Sequence, residues 1–193
     1  MYSAVLDTVA LVPGMQRDFL LQLAAEMAYA PLWSSGTIGE LDDVLGRIDE
    51  SRGIEDRPEW RARLLATMQK AFPGAQIEAP REREYGYDIA DPGDGHVVHA
   101  ALMGKADALV TGDKEAKFEK SKVLAEANVE VISVADFAAN TVAAHIDAGV
   151  RAVREMCGRL EHPPMTELEL LDLLAERYGM TQVRELLAPS FAE

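Results

Sequence analysis

The chain has 193 residues, of which 48% are hydrophobic, so it can bury a core of ordinary size without disulfides. Its formal net charge of −14 excludes general attraction to nucleic acid, because phosphate binding normally shows as a basic face. A single cysteine, Cys157, excludes a disulfide framework within the chain. The N-terminus lacks the basic start of a signal peptide and no segment is typical of a membrane span, so we expect a cytoplasmic protein.

The N-terminal half predicts one strand followed by helices. SAVLD (3–7) is typical of a short buried strand that ends on Asp7, and TVALVPG of the turn that leaves it. PLWSSG interrupts the helical pattern, and Ser34 or Ser35 is suited to cap the next helix. The helices are predicted over residues 15–29, 37–51 and 57–73.

The middle of the chain alternates apolar strands with helices. Residues 80–93 are predicted to form a loop, with Asp91-Pro92 as a turn or helix entry. Strands are predicted at 75–79, 106–113 and 129–133, and helices at 95–105, 115–127 and 134–149. This alternation predicts an α/β fold with a parallel sheet covered on both faces.

The segment after Gly149 contains no strand candidate and predicts helices alone. Pro163-Pro164 precedes a new helix, with Thr166 as N-cap and Glu169 at the capping-box position. We therefore expect two parts, an α/β domain over 1–148 and a helical extension over 149–193. The extension could pack on the first domain as a stabilising cap, form a dimer interface or receive a partner.

Four carboxylates fall at or near the predicted carboxyl ends of strands, where parallel sheets bind ligands. Asp7 and Asp113 end two strands, Asp94 opens the helix before the second of them, and Glu40 lies in the first turns of another helix. Each acid alone has an ordinary explanation as a cap, turn or surface residue. Together they form the oxygen donor set that Mg²⁺ and Mn²⁺ prefer.

These segments resemble the PIN domain, the metal-dependent nuclease fold of VapC-type toxins. The resemblance covers roughly residues 3–140 and rests on AVLDTVALVPG, RDFLLQLA, PLWSSGTIGEL, DPGDGHVVHAAL and ADALVTGD, in this order. It implies a three-layer α/β/α PIN-like domain with a parallel sheet. The Pro-Gly-x-x-Arg-Asp element and the helical tail resemble the longer VapC-like subgroup.

The resemblance also implies a function and an active site. The acidic quartet of the family falls on Asp7, Glu40, Asp94 and Asp113. Asp7, Asp94 and Asp113 would hold Mg²⁺ or Mn²⁺, and Glu40 would complete the site and help to orient the attacking water. The implied activity is endoribonuclease cleavage of transfer or ribosomal RNA that leaves a 5′-phosphate and a 3′-hydroxyl. An antitoxin protein is the implied partner, and we expect a homodimer.

Two positions depart from the family pattern. Val9 stands where an Asn usually follows the first Asp, which puts one polar contact of the site in doubt. Gly93 stands where the third block often has an inner Asp, although Asp91 and Asp94 remain. Neither change removes a member of the quartet, but both could alter metal affinity.

Residues outside the quartet are candidates for substrate binding. Lys114 and Lys117, with Lys120 and Lys122, form the basic run KEAKFEKSK, although a solvated helix with Glu/Lys pairs explains that run equally well. Thr111 or Thr8 could hydrogen-bond a ligand carboxylate or the substrate. Arg17 is suited to guide RNA or to pair with an acid of the cluster, and Lys105 is a further candidate to guide RNA.

The same residues allow three interpretations other than a metal-dependent nuclease. His96 and His99 have a spacing that can ligate zinc, but packing or surface roles suit them better because no Glu-x-x-His partner is present. A haloacid-dehalogenase-like phosphatase also places an Asp after its first strand, but it needs a second Asp where Val9 stands. A non-catalytic PIN-like interaction module is the alternative from a different class.

Overall fold

A computed structural model describes residues 1–113, 115–161 and 163–192. The described residues form a five-stranded sheet in the order β3-β2-β1-β4-β5. Its strands are β1 (Ser3–Leu6), β2 (Ala30–Ser34), β3 (Gln76–Ile77), β4 (Ala108–Val110) and β5 (Glu130–Ile132). The pairs β1–β4 and β2–β3 are parallel.

Ten α-helices occur within the described residues, and they include the predicted C-terminal helices. They are α1 (Thr8–Leu11), α2 (Gly14–Ala25), α3 (Ser35–Ser51), α4 (Pro58–Ala71), α5 (Gly95–Met103), α6 (Lys122–Glu126), α7 (Val134–Ala144), α8 (Ile146–Arg159), α9 (Glu167–Tyr178) and α10 (Thr181–Leu187). The predicted α/β class, with a parallel sheet and a helical C-terminal region, is confirmed.

Strands β1 and β4 determine where the chain reaches the edge of the sheet at which the site is proposed. Every residue from Ala4 to Leu6 and from Ala108 to Val110 is fully buried, as expected for strands of a parallel sheet covered on both faces. Leu6 is in register with Val110, so the two strands end side by side. The residues that follow them, Asp7 and Thr111, therefore emerge at the same edge of the sheet.

Helix α5 packs its apolar side on these strands. Val97, Val98 and Ala101 are fully buried in one cluster with Val5 and Leu109. Their spacing along the helix puts three apolar side chains toward the sheet, and the helix begins directly after Asp94. Burial of α5 therefore fixes the start of the helix, and with it Asp94, relative to the ends of the central strands.

The described chain divides into two compact units. One contains residues 2–12 and 31–131, and the other contains Pro13–Ala30 with the described residues from Ile132 onward. In the second unit α2 packs on α8, and α10 packs on α7 and α9. The predicted capping box is present, with Thr166 Oγ1 accepting from the Glu169 N–H and Glu169 accepting from the Thr166 N–H. The predicted division at residues 148 and 149 stays a prediction.

Two N-terminal predictions are wrong. Residues 8–11 form α1 instead of a turn, because Asp7 accepts a hydrogen bond from the Thr8 N–H and starts the helix. PLWS forms β2 instead of a break. Pro31 is tolerated near the beginning of that strand, and the buried Trp33, which is 1% exposed, anchors it.

Two predicted helices are interrupted. Within the described part of 115–127, a 3-10 turn at Phe118–Lys120 precedes the short α6, because Asp88 accepts from the Ser121 hydroxyl and the Lys122 N–H. The segment 134–149 is divided between α7 and α8 at His145, whose backbone leaves the helical region at φ −139° and ψ 59°. Within the described part of the chain, no helix has both the length and the apolar character needed to cross a membrane.

Candidate active site

Asp7 lies at the carboxyl end of β1 and is only 6% exposed. Its Oδ1 accepts from the Thr8 N–H at 2.6 Å, and its Oδ2 accepts from the Thr111 hydroxyl at 2.7 Å. Burial raises the pKa of the Asp7 carboxyl, and these two hydrogen bonds oppose the rise. The side chain is therefore held in one orientation at the edge of the sheet.

Asp113 follows β4 and is linked to Asp7 through Thr111. The Thr111 hydroxyl, which donates to Asp7, accepts from the Asp113 N–H at 3.0 Å. Asp113 Oδ1 in turn accepts from the N–H groups of Glu115 and Ala116, at 2.7 and 3.2 Å. Asp113 thus serves as a turn residue through one oxygen, and the hydrogen bonds to Thr111 tie the ends of β1 and β4 together.

Glu40 lies in the second turn of α3, a helix that begins where Ser34 accepts from the Thr37 N–H at 2.7 Å. Both of its oxygens are engaged. Oε2 accepts from the Thr8 hydroxyl at 2.6 Å, and Oε1 lies 3.1 Å from Nε2 of His96. Burial disfavours the charged form, but hydrogen bonds from His96 and Thr8 outweigh it, so the pKa of Glu40 lies below its ordinary value.

Asp94 stands at the start of α5, after a 3-10 turn over Pro92–Asp94. Its side chain makes no capping hydrogen bond to the helix, so the ordinary explanation of a helix cap does not apply. The turn is held by Asp91, which accepts from the Gly93 N–H at 2.8 Å. A Cβ at Gly93 would lie 3.1 Å from Asp91 Oδ1, a tight contact with the side chain that holds this turn.

Electrostatic interactions couple Asp94 to the other three acids of the quartet. Burial raises the pKa of Asp94 to about 7, and the nearby charges of Asp7, Asp91, Glu40 and Asp113 add to the rise. Glu40 also raises the pKa of Asp7. Within the quartet, the carboxyls of Asp94 and Asp7 are therefore the ones whose ionisation their acidic neighbours oppose.

His96, for which the sequence favoured a packing or surface role, contacts a member of the quartet. It is fully buried, with Nδ1 2.7 Å from Ser34 Oγ and Nε2 3.1 Å from Glu40 Oε1. His99 instead has its Nδ1 2.8 Å from the Tyr87 hydroxyl. The two histidines therefore have different partners, and the single available signal was a histidine placed among the apolar residues of α5.

The donor set has the chemistry of a site for a hard divalent cation. Carboxylate oxygens are the ligands that Mg²⁺ and Mn²⁺ prefer, and a cation would relieve the repulsion that raises the pKa of Asp94. Among the described residues, however, no group of three or more Asp, Glu, His or Cys side chains lies close enough together to hold a metal ion. The donors fit the ion by their chemistry.

The predicted substrate-binding residues have different positions. Thr111 is buried and bonded to Asp7. Lys117 is exposed, with a positive φ of 52° where a 3-10 turn begins, and Lys114 lies outside the described residues. Arg17 is buried on α2, in the helical unit, with Nε 3.3 Å from Asp18 Oδ1. Roles of these residues in RNA binding stay predictions.

Val9 occupies the position of the other departure from the family pattern. It lies on α1 and is 40% exposed. A Cβ placed at Gly112 would lie 3.8 Å from Val9 Cγ2, so the valine stands beside the loop that leads from β4 to Asp113. An apolar side chain there cannot accept or donate a hydrogen bond within the site.

Comparison with known families gives two matches in separate parts of the chain. A family model described as PIN domain matches residues 3–115, which include all four acids. A second model, described as VapC50 C-terminal domain, matches residues 135–189. Comparison with curated proteins and with solved structures gave no match.

Proposed function

This chain belongs to the PIN-domain family, with a C-terminal extension of VapC type, and on that basis we propose that it is a metal-dependent endoribonuclease. PIN domains are generally metal-dependent nucleases, and the two matches together support a VapC-like toxin nuclease family. The proposed substrate is transfer or ribosomal RNA. The observation that carries the proposal is the arrangement within the matched PIN domain, where Asp7 is held at the buried end of β1 and is linked through Thr111 to Asp113.

Each acid has a proposed role that follows from its surroundings. Asp7, Asp94 and Asp113 would hold Mg²⁺ or Mn²⁺, directly or through water. Hydrogen bonds from Thr111 and Thr8 fix Asp7 in place before an ion arrives, so little ordering of that side chain remains to be done. When bound, the ion would neutralise charge on the phosphate oxygens and lower the pKa of a water.

Glu40 would complete the metal site and also help to orient the attacking water. Its lowered pKa keeps the carboxylate ionised, and an ionised carboxylate accepts hydrogen bonds without donating any. The donors from His96 and Thr8 leave each oxygen with further accepting capacity. Glu40 would therefore orient the attacking water by accepting one of its protons in a hydrogen bond.

Charge is the main obstacle to RNA binding by a chain with a net charge of −14. A bound cation turns the acidic cluster into a site that a phosphate can approach. Lys117, Lys120 and Lys122 are exposed and follow Asp113 in the chain, so they are the proposed guides for the RNA backbone. Binding should weaken with salt, because the contacts would be to phosphates.

The proposed biological setting is a VapBC-type toxin–antitoxin pair in the cytoplasm. An antitoxin would inhibit the enzyme by covering or entering the acidic site. We also propose that two copies of this chain form a homodimer. The helical residues matched by the VapC50 C-terminal domain are candidates for either interface.

Cleavage of a total-RNA pool and a tRNA pool by the purified full chain tests this function. Reactions with Mn²⁺, Mg²⁺ or EDTA are compared for wild type, Asp7→Asn and Asp94→Asn, with Glu84→Gln as an exposed control of the same charge change. We expect discrete metal-dependent cuts in wild type and the control, and none in the two site variants.

The alternative is a non-catalytic interaction module of the same fold. It is favoured by one observation, that among the described residues no group of three or more Asp, Glu, His or Cys side chains could hold a metal ion. Failure of the wild type to cleave either RNA pool in any metal, despite measurable Mn²⁺ binding, would support this module and contradict the nuclease. Hydrolysis of a phosphomonoester without RNA cleavage would instead support a phosphatase.

A further inference from the structure

We propose that His96, held by Ser34, is a positioning residue that fixes Glu40 in the orientation required by the proposed nuclease site. The inference rests on the proposed function, because it gives a role to the neighbour of one member of the quartet. All the residues concerned belong to the same compact unit, residues 2–12 and 31–131.

The imidazole of His96 has a polar partner on each side. Nδ1 lies 2.7 Å from Ser34 Oγ, and Nε2 lies 3.1 Å from Glu40 Oε1. The residue is 0% exposed, so water cannot replace either partner. A buried polar group is costly unless it is hydrogen-bonded, and here one of the two available partners is a proposed catalytic acid.

The contact with Glu40 fixes the role of one ring nitrogen. Carboxylate oxygens accept hydrogen bonds, so Nε2 is the donor to Glu40 Oε1. On the other side of the ring, Nδ1 lies 2.7 Å from Ser34 Oγ. The Ser34 hydroxyl donates to Thr37 Oγ1 at 2.8 Å, and Ser34 Oγ accepts from the Thr37 N–H at 2.7 Å. These bonds hold Ser34 in place beside the edge of the ring opposite Glu40.

Packing around Gly36 fixes the ring itself. A Cβ at Gly36 would lie 2.8 Å from His96 Cγ and 3.0 Å from the carbonyl oxygen of Ala79. The Gly36 N–H donates to that same carbonyl at 3.0 Å, so the backbone cannot move away easily. The ring is therefore confined between the start of α3 and its own helix.

The result is a carboxylate held from two directions. His96 donates to Oε1 and the Thr8 hydroxyl donates to Oε2, at 3.1 and 2.6 Å. Glu is a side chain with large rotamer freedom, and two donors from different elements remove most of it. Residues that orient an acid in this way typically change metal affinity or activity about 10- to 100-fold when they are replaced.

A packing role for His96 makes a different prediction from a positioning role. His96→Leu fills most of the buried volume but offers no donor, whereas His96→Gln has a similar size and retains an N–H for Glu40. If His96 only fills space, the two variants should bind Mn²⁺ equally. If it positions Glu40, Gln should retain most of the affinity and Leu should lose it.

The experiment measures Mn²⁺ affinity of the full chain by electron paramagnetic resonance of free Mn²⁺, with circular dichroism to verify folding. We expect about 10- to 100-fold weaker binding in His96→Leu and less than threefold in His96→Gln. His99→Leu, one turn further along α5 and bonded to Tyr87, should remain within about twofold of wild type.

A double-mutant cycle with Glu40→Gln makes the test specific. The difference between His96→Leu and His96→Gln should disappear in the Glu40→Gln background, because the residue through which His96 acts has been changed. Equal affinities of the two His96 variants, or a difference that persists without the Glu40 carboxylate, would overturn the inference. If the His96 variants differ in Mn²⁺ affinity as predicted but wild type cleaves no RNA, only the proposed nuclease activity is refuted. If wild type binds no Mn²⁺, both the nuclease and the positioning role of His96 are overturned.

Discussion

Replacing Asp94 by asparagine should stabilise the metal-free protein while removing a proposed metal ligand. Folding raises the pKa of this carboxyl from 3.8 to about 7, through burial and then through its acidic neighbours. A difference of about 3 in pKa corresponds to roughly 4 kcal/mol of stability. Because the carboxyl is half-buried and solvent screens it, we expect about 1–2 kcal/mol to be measurable.

The sign of the effect defines its pH range. Below pH 3.8 the carboxyl is protonated in both states and contributes no difference. As the pH rises toward 7, the unfolded chain loses this proton first, so the wild type becomes progressively less stable than the asparagine variant. Above about pH 7 the difference reaches its full value and stays constant.

Urea unfolding in EDTA at pH 4, 6 and 8 measures this difference for wild type and Asp94→Asn. Glu84→Gln, which changes an exposed charge, serves as control and should stay within about 0.5 kcal/mol of wild type. Adding Mn²⁺ should stabilise the wild type and have little effect on the variant. The reasoning is refuted if Asp94→Asn is no more stable than wild type at pH 8, or if its advantage does not shrink toward pH 4.

Three further substitutions test other parts of the account. In Gly36→Ala, the new Cβ would lie too close to the ring of His96. We therefore expect the fold to be destabilised by about 1–3 kcal/mol and Mn²⁺ binding to weaken. Urea unfolding that is unchanged from wild type would contradict this. Thr111→Val should lower Mn²⁺ affinity and cost about 1 kcal/mol, because Asp7 loses a donor; titration of both proteins with Mn²⁺ provides the check. Thr166→Ala should cost about 1 kcal/mol in thermal unfolding by removing the capping box of α9, and RNA cleavage at low temperature should be unchanged.

The sequence predicted the parts of the site that depend on short-range patterns. Asp7 and Asp113 follow runs of apolar residues that are buried in the structure, and that placement predicted the ends of two parallel strands. Thr166 and Glu169 form the capping box that their spacing predicted. In each case neighbours in the sequence are also neighbours in the fold, so periodicity and capping rules apply directly.

Features that depend on distant contacts were missed. PLWS was predicted to interrupt a helix, because the pairing partners that make it a strand lie far away at Gln76 and Ile77. The helix predicted over 115–127 is divided by hydrogen bonds to Asp88, which lies in an earlier loop. His96 stands out locally as a histidine among apolar residues, but its partner Glu40 lies 56 positions away, so the sequence does not show what the histidine contacts.

The most direct test of the proposed nuclease is a titration with Mn²⁺ in which ion binding and RNA cleavage are measured on the same samples. The account predicts that cleavage of the tRNA pool rises in step with Mn²⁺ occupancy and leaves 5′-phosphate ends. Asp7→Asn should abolish cleavage without unfolding the protein. The substitution removes the charge of a proposed metal ligand, the buried carboxylate at the carboxyl end of β1, and changes little else. Cleavage that persists in Asp7→Asn or in EDTA, or full Mn²⁺ occupancy without cleavage, would contradict it.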